Sequence, residues 1–154
     1  MEFIQQFING LNLGSIYALM ALGYTMVYGI AKMLNFAHGD IIMVGAYTIS
    51  VGATMFGLSP IASVLLSMVV CTILGVVIEK IAYKPLRLAS PLTVLITAIG
   101  VSYFLQSTAL LIFGSEQRRV ASVITVKGFN LGPIELTGES VVTLGATTLI
   151  MIGL

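Results

Sequence analysis

Charge is what this sequence has least of. Its 154 residues include seven Lys or Arg and six Asp or Glu, 8% in all, where soluble domains carry about 25%. So little charge cannot cover a water-facing surface. With 58% of residues hydrophobic, the chain reads as an integral membrane protein. The net charge of +1 comes without a basic patch and gives no support for nucleic acid as a partner. Cysteine occurs once, as Cys71 inside an apolar run, which excludes a disulfide framework and leaves the redox compartment unread. Histidine also occurs once, as His38. One His and one Cys make no credible metal cluster, and no Ser/His/Asp spacing marks a nucleophile. GxxxxGK[ST] is missing, so no P-loop hydrolyses nucleotide here. The chain is therefore expected to be no enzyme and to need no cofactor. Four prolines and sparse charge leave no low-complexity linker, and no internal repeat is evident. The N-terminal MEFIQQF lacks a basic n-region, so the first hydrophobic segment is expected to remain a helix.

What the chain does have is apolar segments. They lie at about residues 9–31, 41–56, 61–78, 91–113 and 141–154. About 20 residues cross a hydrocarbon core, so the expected fold is all-α. It is a polytopic transmembrane helical bundle with about four full spans and an incomplete fifth, in one domain over residues 1–154. In the first segment Gly10 and Gly14 form GxxxG, with Ala18 one turn on, a spacing that lets helices approach closely. In the third, Ser63, Ser67, Cys71 and Gly75 recur every fourth residue. They are read as a helix-packing face, with pore lining as the alternative. Gln106 is the most polar residue of the fourth segment; it bonds a neighbouring helix or contacts substrate. Between residues 114 and 140, VITVKGFNLGPIEL suggests a short hairpin with Gly and Pro at its turn. Gly57-Leu58-Ser59-Pro60 is a tight connection in which Pro60 starts the next helix.

The most informative stretch is residues 32–40, KMLNFAHGD, between the first two segments. It holds the only Asp and the only His of the sequence. Polar groups near membrane depth cost several kcal/mol unless satisfied, so Asn35, Phe36, His38, Gly39 and Asp40 form the candidate functional loop. His38 is open to three roles: proton relay, substrate contact, or a residue tying the break together. Asp40 is placed to cap the second segment, and Asn35 to satisfy backbone groups freed in the break. Gly39 is expected to need a conformation or an approach that a β-branched side chain denies. The second segment has only 16 residues by this reading. It is either a tilted or thin-membrane helix or one shortened by irregular backbone at the break, a pointer to sites in transporters.

Basic residues set the orientation. With one crossing per segment, Lys32, Lys80, Lys84 and Arg87 share one side, and Arg118, Arg119 and Lys127 the other, diluted in a longer loop with Glu116, Glu135 and Glu139. The short loop at residues 79–90, where Pro85 is expected to end any helix, is thereby cytoplasmic and the N-terminus outside.

The run GLNLGSIYALMALGYTMVYGIAKMLNFAHGDIIMVGAY resembles the N-terminal signature of branched-chain amino-acid permeases, the membrane subunits of ATP-binding cassette importers, most closely the H-type subunit. IEKIAYKPLR and LTVLITAIGVSYFLQS match as well, so the resemblance covers residues 8–113. It implies passage of leucine, isoleucine and valine across the plasma membrane by alternating access. A second permease subunit would complete the path, two cytoplasmic ATPase subunits would drive it, and an extracytoplasmic binding protein would deliver the amino acid. Lipid bilayer surrounds it. Gly23, Gly29 and Gly45 would allow close packing around the loop. Family members run to nearly twice this length, so the resemblance implies the N-terminal portion of a permease, with the ATPase-docking loop beyond residue 154. Urea and short-chain amide importers share much of the pattern. A proton-coupled secondary carrier, in which His38 or Asp40 titrates, and a non-transporting membrane fragment are the readings from other classes.

Overall fold

The computed structural model describes residues 2–117, 127–131 and 134–154. Their regular elements are helices apart from one antiparallel pair of short strands. In chain order come α1 (Glu2–Ala31), α2 (His38–Thr54), α3 (Pro60–Ile78), α4 (Pro91–Phe113), strands β1 (Phe129–Leu131) and β2 (Ile134–Leu136), and α5 (Gly138–Gly153). The chain divides into two compact units, one of residues 1–26 and 122–154, the other of residues 27–121.

Three helices are long and apolar enough to cross a membrane: α1, α4, and α3 with its continuation to Leu86. α2 has 17 residues and α5 has 16. At about 1.5 Å per residue neither reaches across a hydrocarbon core of about 30 Å. The expected count of four full spans is thus not met by length. Apolar side chains face outward along the long helices, Ile30 at 85% and Leu111 at 86% exposure, as suits a chain whose solvent is lipid. Several helix hydroxyls are satisfied locally: Thr48, Thr72, Thr97 and Thr108 each donate to the carbonyl four residues back at 2.7–2.9 Å, so these hydrogens are not left bare in an apolar setting.

Helix starts follow local chemistry. Ser59 and Ser90 each precede a proline at the first helical position, and each hydroxyl accepts from the backbone N–H three residues on, Ala62 at 3.4 Å and Thr93 at 3.3 Å. Gly57 and Gly114 take left-handed backbone after α2 and α4.

Residues 79–90 are not the loop expected. The third helix runs on through a π turn, Glu79–Tyr83, and a 3-10 turn, Lys84–Leu86. Pro85 would ordinarily end an α-helix by clashing with the carbonyl four residues back. Here the helix has already widened, with the Lys84 N–H bonded to the Glu79 carbonyl, and the proline is accommodated. Lys80, Lys84 and Arg87 therefore sit on or just beyond a helix end. Arg87 pairs with Glu79 at 2.9 Å in an exposed bridge that contributes little stability.

The core of the 27–121 unit gathers Ala37, Ile78, Tyr83, Val94, Ala98 and Leu105. In the other unit, β1 and β2 pair antiparallel with Phe129 opposite Leu136, within the stretch where a hairpin was expected. Arg118 and Arg119 of the orientation argument lie outside the described residues.

Candidate functional site

The site begins where α1 stops. Lys32 follows Ala31 in left-handed backbone, φ 55°, with its N–H on the Tyr28 carbonyl at 2.8 Å. Among the described residues it is the only non-glycine there. The position suits glycine, and a lysine holds it at a cost of about 1–3 kcal/mol. The break is shorter than the sequence suggests. It covers residues 32–37, and His38, Gly39 and Asp40 already belong to the first turn of α2.

Asn35 organises the break. Its side-chain oxygen accepts from the Ala37 N–H at 3.1 Å and from the Tyr83 hydroxyl at 2.8 Å, while its backbone carbonyl accepts from the His38 N–H at 3.2 Å. One side chain thus closes a local turn and ties it to the π turn 48 residues away. Ala37 is fully buried beneath it. Phe36 is exposed and His38 half-buried.

Asp40 does not cap α2, because Ala37 holds the cap position and no side chain bonds there. The carboxylate instead reaches α4. One oxygen accepts from the Ser102 hydroxyl and the other from the Gln106 amide at 3.0 Å; Gln106 also donates to Ser102 at 3.1 Å. Asp40 itself is buried. Gln106 does bond a neighbouring helix, while Ser102, its partner one turn earlier, and Tyr83 were not singled out from the sequence. Farther along, Tyr47 stacks on Phe113 with ring centroids 4.3 Å apart.

These contacts fix relative heights. Asp40 lies beside Ser102, the middle of α4, and Tyr47 lies beside Phe113, its last residue. α2 therefore runs parallel to α4 but starts halfway along it. The break connects the level of Arg87 and Pro91, where α4 begins, to that start halfway along α4. A cavity of about 760 Å³ lies against it, with Val27, Ile30, Leu34, Ile41 and Ile78 as apolar wall and Asn35, His38, Glu79 and Tyr83 among its polar groups.

α3 runs antiparallel to α2 and packs closely. Ser67 donates to the Gly45 carbonyl at 3.0 Å, and the Cys71 thiol donates to that of Ile41 at 3.5 Å. A methyl group on Gly45 would lie 3.1 Å from both Ser67 Oγ and Cys71 Sγ, and one on Gly52, which sequence reasoning passed over, 3.0 Å from Ser63 Oγ. At Gly10, Gly14, Gly29 and Gly75, where close packing is also expected, a methyl group meets no atom within 4 Å. Gly75 instead lines the 760 Å³ cavity, and Gly10 and Gly14 line a groove between the first half of α1 and α5. Gly23 lies within α1. Gly39 is helical, free of positive φ and open on all sides, so its expected need for glycine's freedom is corrected.

The sequence matches the family model of the branched-chain amino acid transport system permease component over residues 6–152. It is similar to the high-affinity branched-chain amino acid transport system permease protein BraD of Pseudomonas aeruginosa, 42% identical over 131 residues, 80% of this chain and 43% of that one. It is 39% identical over 152 residues to the corresponding protein LivH of Salmonella typhimurium, covering 94% of this chain and 49% of the relative. With LivH of Escherichia coli K12 the identity is 43% over 129 residues, 79% of this chain and 42% of the relative. The chain thus spans about half the length of the curated relatives it matches. No solved structure matches it.

Proposed function

The chain belongs to the family of branched-chain amino acid transport system permease components, and we propose that it serves as a permease subunit of an ATP-binding cassette importer for leucine, isoleucine and valine. The observation that carries the reading beyond kinship is the mid-depth start of α2. Irregular backbone at membrane depth is tolerated only where protein buries it or where it lines a cavity, and broken helices mark the sites of transporters. Here the break does both, through Asn35 and through the cavity beside it.

The cavity suits a zwitterion with a branched apolar side chain. Its volume falls in the range of small-molecule sites. Aliphatic walls can take the side chain, and Asn35, Tyr83 and Glu79 can take the polar ends. In this reading Asn35, Phe36, His38, Gly39 and Asp40 act as one element that shapes the path. Asn35 and Asp40 hold its position against α3 and α4, and His38 faces the cavity. Movement between inward- and outward-open states is driven from outside the chain, whose sequence carries no nucleotide-binding motif: by two ATPase subunits, with a second permease subunit and a binding protein as partners. The protein sits in the plasma membrane with residues 79–90 on the cytoplasmic side.

Uptake tests this directly. The protein is expressed with the ATPases, second permease and binding protein in a cell deficient in leucine uptake. Asn35→Ala is expected to cut ATP-dependent leucine uptake at least tenfold at unchanged protein level. Uptake of urea but not leucine would overturn the substrate, and full activity of the variant would overturn the role of the break.

A further inference from the structure

We propose that Lys32 and Arg87 form a binding site for the headgroup of an anionic phospholipid, at the level where α1 ends and α4 begins. A second cavity of about 510 Å³ lies here, lined by both cations together with Tyr28, Leu92, Val94 and Leu95. No acidic residue lines it; Glu79 faces only the neighbouring cavity. Arg87 gives one Nη2 contact to Glu79, and a guanidinium has five N–H donors, so donors remain for a phosphate. The rest of the wall is apolar, with a tyrosine at its edge, the composition of a membrane interface.

The backbone of Lys32 points the same way. A left-handed conformation is free of cost for glycine and costly for lysine, so what a lysine supplies there is its side chain. Phosphate is the shared chemistry, and the apolar wall commits the site to a lipid, since an acyl chain would cover Leu92 and Leu95, both of which belong to a candidate membrane span. Basic pockets beside membrane helices bind acidic headgroups in this manner, each cation contributing about fivefold in affinity.

The test uses the whole chain in nanodiscs of equal palmitoyl-oleoyl phosphatidylglycerol and phosphatidylcholine, with retained lipid counted by native mass spectrometry. Wild type is expected to retain phosphatidylglycerol about tenfold or more over phosphatidylcholine. Lys32→Gly/Arg87→Gln should lose that preference. Lys32→Gly relieves the backbone, so helical content and melting of this variant in phosphatidylcholine alone should be preserved, which separates lost binding from lost folding. Lys80→Gln/Lys84→Gln removes two cations of the same level that line neither cavity and should keep the preference. An equal loss in that control would reduce the effect to general charge attraction and overturn the site. So would the absence of any preference in wild type, or displacement of the lipid by 20 mM inorganic phosphate as effectively as by added phosphatidylglycerol.

Discussion

At the scale of single residues, the bonds that matter most cross between helices. Asp40→Ala would leave the Ser102 hydroxyl and the Gln106 amide without their acceptor in an apolar setting, and should destabilise the protein by about 1–2 kcal/mol. Asp40→Asn keeps one acceptor oxygen and should lose less; denaturation in mixed detergent micelles reads both. Glycines divide in the same measurement. Gly52→Ala drives a methyl group against Ser63, which is itself fully buried, and should cost about 1–3 kcal/mol as overpacking does. Gly39→Ala meets nothing, gains helix propensity, and should be neutral or stabilising. Residue types singled out Asn35 and Asp40 as groups needing partners, but set Asp40 at the start of α2 as its cap. They could not name the partners, because Tyr83 and Ser102 lie 48 and 62 residues away along the chain and nothing local marks them. Gly39 misled for a related reason: a glycine beside a break looks like a turn residue until the helix is seen to start one residue before it.

At the scale of elements, apolar length was the legible quantity. The apolar segment at residues 91–113 coincides with α4. Residues 79–86 were not legible. Pro85 argues for a helix end, and the π turn that absorbs it has no sequence signature that local reasoning could use. The elements also bear on sidedness. α4, with 23 residues, separates Arg87 from Glu116 by about 34 Å of helix, enough to cross the hydrocarbon core. Single cysteines at Arg87 and Glu116, in a Cys71→Ser background, should therefore react with an impermeant maleimide from opposite faces. Position 116 should label in intact cells and position 87 only in inverted vesicles. The opposite pattern would reverse the orientation taken from Lys80, Lys84 and Arg87, and equal labelling would mean that α4 does not cross.

At the scale of the whole molecule, the start of α2 halfway along α4 would, in a membrane, also decide where the voltage falls. Water open to one compartment and filling the 760 Å³ cavity would carry that compartment's potential inward to the first turn of α2 and compress the voltage drop into the layer beyond it. A full charge moved across that drop exchanges about 2.3 kcal/mol per 100 mV. A zwitterion carries no net charge and exchanges none. Leucine uptake by this route should accordingly stay constant while a potassium–valinomycin clamp sweeps the potential at fixed ATP, whereas carriage coupled to a proton at His38 or Asp40 would rise and fall with it. Under the proposed function the broken helix would thus make the barrier electrically thin at a place where a cargo without net charge has nothing to lose by it.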